Sequence, residues 1–157
     1  MDCIEKVVGK MADKAKVVLL GSVDPKGFPQ IKAMLRPRKR NGIKEFWFST
    51  NTSSMRVQQF EKNPRACIYF YDCKSFYHGV MLVGTIEVLH GKEATELTWK
   101  RGDKMYCEER VRNQDYCVLK FTATKGRQYS HLESNNFFID LNEKYATAQN
   151  RDEWDII

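Results

Sequence analysis

Two β-rich runs joined by a strong turn constrain this chain most. KVVLLGSV (16–23) is followed by Asp24-Pro25-Lys26-Gly27 and then by FPQIKAMLR (28–36). Proline presets the turn's first φ and glycine supplies the freedom to close it, so the chain must reverse there. In the second run Ile31, Ala33 and Leu35 alternate with Gln30, Lys32, Met34 and Arg36, which gives a strand one apolar and one cationic face. Asn41-Gly42, a second turn signal, leads into KEFWFST (44–50). The three segments predict an antiparallel meander.

After Thr50 the texture changes. NTSSMRVQQFEKNP opens on N-capping residues, stops at Asn63-Pro64 and places Val57 and Phe60 on one face, which predicts a helix over 53–62. RACIYFYD (65–72) and the run from Tyr77 to Leu89 predict two more strands, and YCVLKFTA (116–123) a sixth. Ile4, Val7, Val8 and Met11 carry helical spacing. Lys92 to Lys100 predicts a polar helix anchored by Ala94, Leu97 and Trp99. The tail NEKYATAQNRDEWDII shows no clear pattern. Six strands with helices outside suggest a mainly β fold, a small closed or partly closed antiparallel barrel. At 157 residues the chain suits a single domain over 1–157, with a core over 14–123 and a C-terminal extension over 124–157.

Charge narrows the partners. Residues 1–65 hold 14 Lys/Arg and six Asp/Glu, a balance of +8, whereas residues 66–157 carry −2. An anion is therefore expected as partner: nucleic acid, a membrane surface or a phosphorylated small molecule. The densest cluster, Arg36-Pro37-Arg38-Lys39-Arg40, is expected as a solvated hairpin tip, with a cofactor entrance or a nucleic-acid patch as alternatives. No bilayer-length apolar run and no signal-peptide pattern stands out, so a soluble cytoplasmic protein is expected, without nucleic acid or membrane as partner. Cys3, Cys67, Cys73, Cys107 and Cys117 show no CxxC spacing, and His78, His90 and His131 are scattered. Reduced thiols and no metal site are the expectation.

The helix over 53–62 has a richer start than most. Ser49-Thr50 ends the preceding strand, and Ser53, Ser54 and Arg56 stand in the first turn. Free N–H groups, hydroxyls and a guanidinium suit a phosphate dianion. An ordinary capped helix with a solvent-exposed Arg56 is the plain alternative. The aromatic groups Phe46-Trp47-Phe48 and Tyr69-Phe70-Tyr71 are core residues by default, with stacking on a ring system as the alternative.

IKAML (31–35), FWFSTNTSSMRV (46–57), NPRACIYF (63–70) and GVMLVGTIEVL (79–89), in this order, resemble the flavin-binding split barrels of the pyridoxamine-5′-phosphate-oxidase-like family, particularly its short general-stress-protein-like members. The resemblance runs from about Lys14 to Ala123 and implies a six-stranded antiparallel split β-barrel of Greek-key type. By resemblance, the FMN phosphate falls to Lys32, to Ser49 and Thr50, and to Ser54 with Arg56. The isoalloxazine would lie along Ala33, Met34 and Leu35. The family's dimers hold flavin in the interface, so the second subunit would bring His78, Gly79, Val80 and Met81 towards the ring or its ribityl chain. His78 then stands either as a strand histidine at the interface or as a proton donor.

Two departures bear on function. Met55 stands where many members carry a second basic residue, which removes one phosphate contact. KGRQYSHLESNNFFIDL (125–141) stands in place of the basic Arg-Leu motif with which the genuine oxidases bind pyridoxal substrates. The expectation is a homodimeric FMN flavoprotein that passes hydride or electrons from a nicotinamide to a small molecule, and not a pyridoxine-phosphate oxidase. No residue is assigned a catalytic role. A non-catalytic flavin- or haem-binding module for storage, sensing or stress protection is the alternative, and a deazaflavin could replace FMN. The chain has no GxGxxG fingerprint, so a nicotinamide would bind transiently.

Overall fold

Two-residue alternation organises the molecule in the computed structural model, which describes residues 3–72, 74–92, 94, 115–139 and 145–147. The elements run α1 (Ile4–Lys14), β1 (Val17–Val23), β2 (Pro29–Leu35), β3 (Lys39–Asn41), β4 (Glu45–Thr50), α2 (Met55–Lys62), β5 (Arg65–Asp72), β6 (Ser75–His90), β7 (Cys117–Ser130), β8 (Glu133–Ile139) and β9 (Tyr145–Thr147). All pairings are antiparallel, in the order β2-β1-β5-β6-β7-β4-β3, with β8 and then β9 added beside β7. The long β6 and β7 form the central ladder. β4 pairs with the first half of β7 (117–122) and β8 with its second half (125–130), so one strand serves two neighbours on the same edge.

The six expected strands are present, and β3, β8 and β9 add to them. The meander is not formed. Only β1 and β2 make a hairpin, and β4 pairs with β3 and β7 instead. Pro37 interrupts the chain after β2, where it removes a ladder donor, and Arg38 N–H donates instead to the Trp47 carbonyl at 2.7 Å. Of the predicted helix over 92–100, Leu97 and Trp99 lie outside the described residues. Ala94 is buried against Trp47 and Val118. Among the described residues no helix is long and apolar enough to cross a membrane.

The sheet curls around one core. Phe46 on β4 faces Phe121 across the ladder, with ring centres 6.4 Å apart, and also lies 5.6 Å from Phe70 on β5. Two strands separate β4 from β5 in the sheet order, so only strong curvature brings these rings together. The two edges, β2 and β3, do not pair with each other, and the barrel stays open. Curvature has a local origin in a bulge between β6 and β7, where Val83 faces Lys125 but Gly84 faces Ala123. Thr124 is the extra residue, and its hydroxyl donates to the Val83 carbonyl at 3.2 Å. A Cβ on Gly84 would lie 1.9 Å from the Thr122 carbonyl oxygen. Backbone cannot swing aside as a side chain does, so Gly84→Ala is expected to cost about 1–3 kcal/mol in a urea titration. Unchanged stability would show that the bulge does not hold β7 this close.

Charge at the β3 turn is satisfied within the protein rather than by solvent alone. Arg40 clasps Asp13 of α1 with Nε to Oδ1 and Nη2 to Oδ2, both 2.7 Å, and donates Nη1 to the Gly42 carbonyl. Lys39 stands 5.1 Å from the centre of the Trp47 ring. The hydrogen bond from Arg40 holds the Asp13 carboxyl below the usual carboxylate range. A lowered folded pKa stabilises the fold above the unfolded value of about 3.9, and the gain is lost as pH falls through the folded pKa. Because Asp13 is mostly exposed, Asp13→Asn is expected to cost no more than about 1 kcal/mol at neutral pH. The melting-temperature gap between the two proteins should narrow below about pH 4; a gap that widens on acidification would reverse the assignment.

Candidate functional site

The site is built where the inner rows of β2 and β4 reach α2. Residues opposed across an antiparallel ladder share a face. Met34, Lys32 and Gln30 therefore continue the inward row of Val18, Leu20 and Ser22, while Leu35, Ala33 and Ile31 share the outer face with Val17, Leu19 and Gly21. The face of β2 read as cationic thus supplies the core residue, Met34. The apolar face looks outward, with Ile31 73% and Leu35 77% exposed. Ser22 donates to Gln59 Oε1 of α2 at 2.6 Å, which fastens this end of the hairpin to the helix. Gln30 and Val23 join Met55, Gln58, Gln59 and Lys62 around a groove of about 340 Å³. Lys32, exposed, stands one inward position after Gln30.

α2 begins where expected. Ser54 has extended backbone, its hydroxyl oxygen accepts from Arg56 N–H, and Val57 and Phe60 anchor the helix in the core. The Arg56 side chain turns inward far enough that Nε is buried without a hydrogen-bond partner. Burial pushes its guanidinium below the ordinary arginine value, and no ion pair compensates among the described residues. An uncompensated buried donor of this kind costs about 1–3 kcal/mol, and an anion would remove that cost.

Thr50 and Ser49 part company. Alternation puts Thr50, opposite the buried Cys117, on the inner side with Phe48, and Ser49, opposite Val118, on the Trp47 side. Thr50, Ser54 and Arg56 are thus gathered around the start of α2. Ser53 is already engaged: its N–H and hydroxyl bond Asp115 Oδ1 and Oδ2 at 2.9 and 3.1 Å. Nothing in the segment before YCVLKF marks Asp115 as a partner of a helix 62 residues away, and sequence reasoning missed it.

The β6 residues divide in the same way. Val80 is fully buried between Phe70 and Gln128. Gly79 and Met81 lie on the outer face between Tyr71 and Tyr129, and between Tyr69 and Arg127. Gly79 makes room for the Tyr69 phenol, whose oxygen would be 2.0 Å from a Cβ there, and Tyr69 stacks with Tyr71 at 6.5 Å. His78 sits beside His131, ring centres 4.8 Å apart. Ala33 and Leu35 share the outer face with Met81, through Leu19 and Tyr69. Of the twelve predicted residues, Thr50, Ser54 and Arg56 thus stand around the start of α2, Ala33, Leu35, Gly79 and Met81 share the outer sheet face, Met34 and Val80 lie in the core, and Lys32, Ser49 and His78 fall outside these groups. Burial pushes the Cys67 and Cys117 thiols above their ordinary value, which keeps them protonated.

Comparison with known proteins agrees with this architecture. No curated protein sequence matches the chain. The crystal structure of a Clostridium acetobutylicum protein related to general stress protein 26 of B. subtilis, of the pyridoxinephosphate oxidase family, is 40% identical; the match covers 88% of this chain and 98% of that one at a TM-score of 0.77. Two more distant structures share the fold. A pyridoxamine 5′-phosphate oxidase-related, FMN-binding protein from Nostoc punctiforme matches at TM-score 0.65 and 12% identity, over 92% and 93% of the two chains. A haem-binding protein from Mycobacterium smegmatis matches at 0.69 and 15%, over 88% and 59%. The pyridoxamine 5′-phosphate oxidase family model matches residues 4–130, from α1 to the end of β7. With that match and its split-barrel topology, the chain belongs to the pyridoxamine 5′-phosphate oxidase family.

Proposed function

We propose that the protein is an FMN-binding oxidoreductase that takes electrons from a nicotinamide and passes them to a small molecule other than pyridoxine phosphate. The observation that carries the reading is Arg56, whose buried Nε lacks a partner at the start of a helix. A phosphate there would meet the guanidinium, the positive end of α2 and the Thr50 and Ser54 hydroxyls, with Lys32 as a second cation. When bound, FMN would supply the redox-active ring. The chain's own residues would bind the phosphate, orient the ring along Ala33 to Leu35 and exclude water.

The outer face of β2 supports a homodimer as part of the same proposal. Ile31 and Leu35, both largely exposed, adjoin Val17 and Leu19 in a continuous apolar strip on an edge strand. Burial of such a strip against a second copy is the usual reason for its persistence on a surface. His78, Gly79 and Met81 of that copy would then approach the ring. Analytical ultracentrifugation should give twice the chain mass, and a monomer that retains flavin would contradict the interface.

The visible spectrum of the purified protein, reconstituted with FMN where needed, tests the cofactor. Bands near about 375 and 450 nm mark flavin, whereas a Soret band marks the haem-binding alternative. Bleaching of the flavin bands by NADH or NADPH, followed by turnover on an added acceptor, tests the reaction. A bound flavin that neither nicotinamide reduces would leave a binding module and end the enzyme reading.

A further inference from the structure

We propose that His78 and His131 form a two-imidazole site for a divalent late-transition-metal ion such as zinc. The ladder brings them together. Gly79 of β6 faces Tyr129 of β7, so His78 stands at the position opposite Ser130, the residue before His131. Sequence separation of 53 residues hid this pair, and only the β6–β7 register closes it.

The spacing fits a shared ion. With a metal–nitrogen bond of about 2.0–2.1 Å and about 1.2 Å from nitrogen to ring centre, two imidazoles on one metal have centres about 4.6 Å apart at a right angle and about 5.3 Å apart at the tetrahedral angle. The observed centres are 4.8 Å apart, with the planes at 65°. The outer support is also present. Ser130 Oγ lies 2.7 Å from His131 Nδ1. A hydroxyl can accept from Nδ1–H, and that tautomer leaves the Nε2 lone pair for a metal, the usual arrangement behind a ligating histidine.

Backbone geometry holds His131 in place. His131 and Leu132 both have positive φ, 51° and 69°, at the two central positions of the β7–β8 turn. Glycine or asparagine ordinarily fills such a turn. The side chain of His131 is thereby presented beside β6 instead of running on with β7. Among the described residues no third ligand-type side chain completes a cluster. The remaining coordination positions would belong to water or to a small-molecule ligand, one protein ligand fewer than in zinc sites that act on substrates. Imidazole donors suit zinc, nickel and copper rather than calcium or magnesium.

Because His78 is also a residue that the proposed dimer would bring towards the ring, zinc binding is tested on flavin-free protein, where a failure of the metal site is distinguishable from a failure of the flavin reading. Zinc chloride is titrated into the full chain by calorimetry, and the imidazole nitrogens are followed by long-range ¹H–¹⁵N NMR. His90, which lies 3.6 Å from Glu61 and away from the pair, serves as the internal control. The expected result is one zinc per chain, with the His78 and His131 resonances shifted and His90 unmoved. His78→Ala and His131→Asn should each weaken binding at least tenfold; asparagine keeps the positive-φ turn and so preserves the fold. No binding at millimolar zinc, binding that leaves both imidazoles unshifted, or binding lost in only one variant would overturn the two-imidazole site.

Discussion

Phe46→Ala is expected to lower the free energy of unfolding by about 3–5 kcal/mol. Phe46 is fully buried and belongs to the inner row of β4. Its ring meets Phe121 on the neighbouring strand and Phe70 on a strand two places further round. Truncation would therefore open a cavity where the curled sheet touches itself across the core. A domain of this size is commonly stable by only 5–15 kcal/mol, so the loss would be a large fraction of the whole. Urea unfolding followed by tryptophan fluorescence measures it. Tyr71→Ala, on the outer face and 41% exposed, is the contrasting variant and should cost far less. Comparable losses for the two would mean that the sheet does not curl around Phe46.

Arg56→Met should separate binding from stability. Methionine keeps the apolar stem and removes a buried donor that has no partner. The melting temperature of the flavin-free protein is therefore expected to hold or rise, since an unsatisfied buried group is costly. FMN affinity should fall roughly 10- to 150-fold, which corresponds to the loss of about 1.5–3 kcal/mol from a charge-assisted hydrogen bond. Fluorescence quenching of free FMN on titration reads the affinity. A variant that binds FMN as tightly as the wild type would remove Arg56 from the phosphate site, and a large drop in flavin-free stability would make it a structural residue.

The local elements were largely legible. Asp24-Pro25-Lys26-Gly27 does close the β1–β2 hairpin, with Asp24 Oδ1 accepting from Lys26 and Phe28 N–H. Ser54 does cap a helix that ends at Lys62. These are short-range effects, written in residues a few positions apart. The faces of β2 were harder to assign. Alternation shows that Ile31, Ala33 and Leu35 share a face but cannot show which face meets the core, and the register against β1, whose Val18 and Leu20 point inward, turns that face outward. The basic cluster at 36–40 was also misleading as a sequence word. Its charges find Asp13 and Trp47, partners that lie 27 and 8 residues away from Arg40 and Lys39.

The sequence by itself determined the hairpin, the capped helix, the six main strands and the family to which the chain belongs, because turn chemistry, capping and side-chain period are local properties. Only the tertiary structure decided the pairing of β4 with β7, the outward apolar strip, the capture of Ser53 by Asp115, and the meeting of His78 with His131. Each brings together residues that are well separated along the chain, and the strand pairing, the outward strip and the histidine pair rest on sheet register, where a one-residue slip would move a strand's side chains to the opposite face.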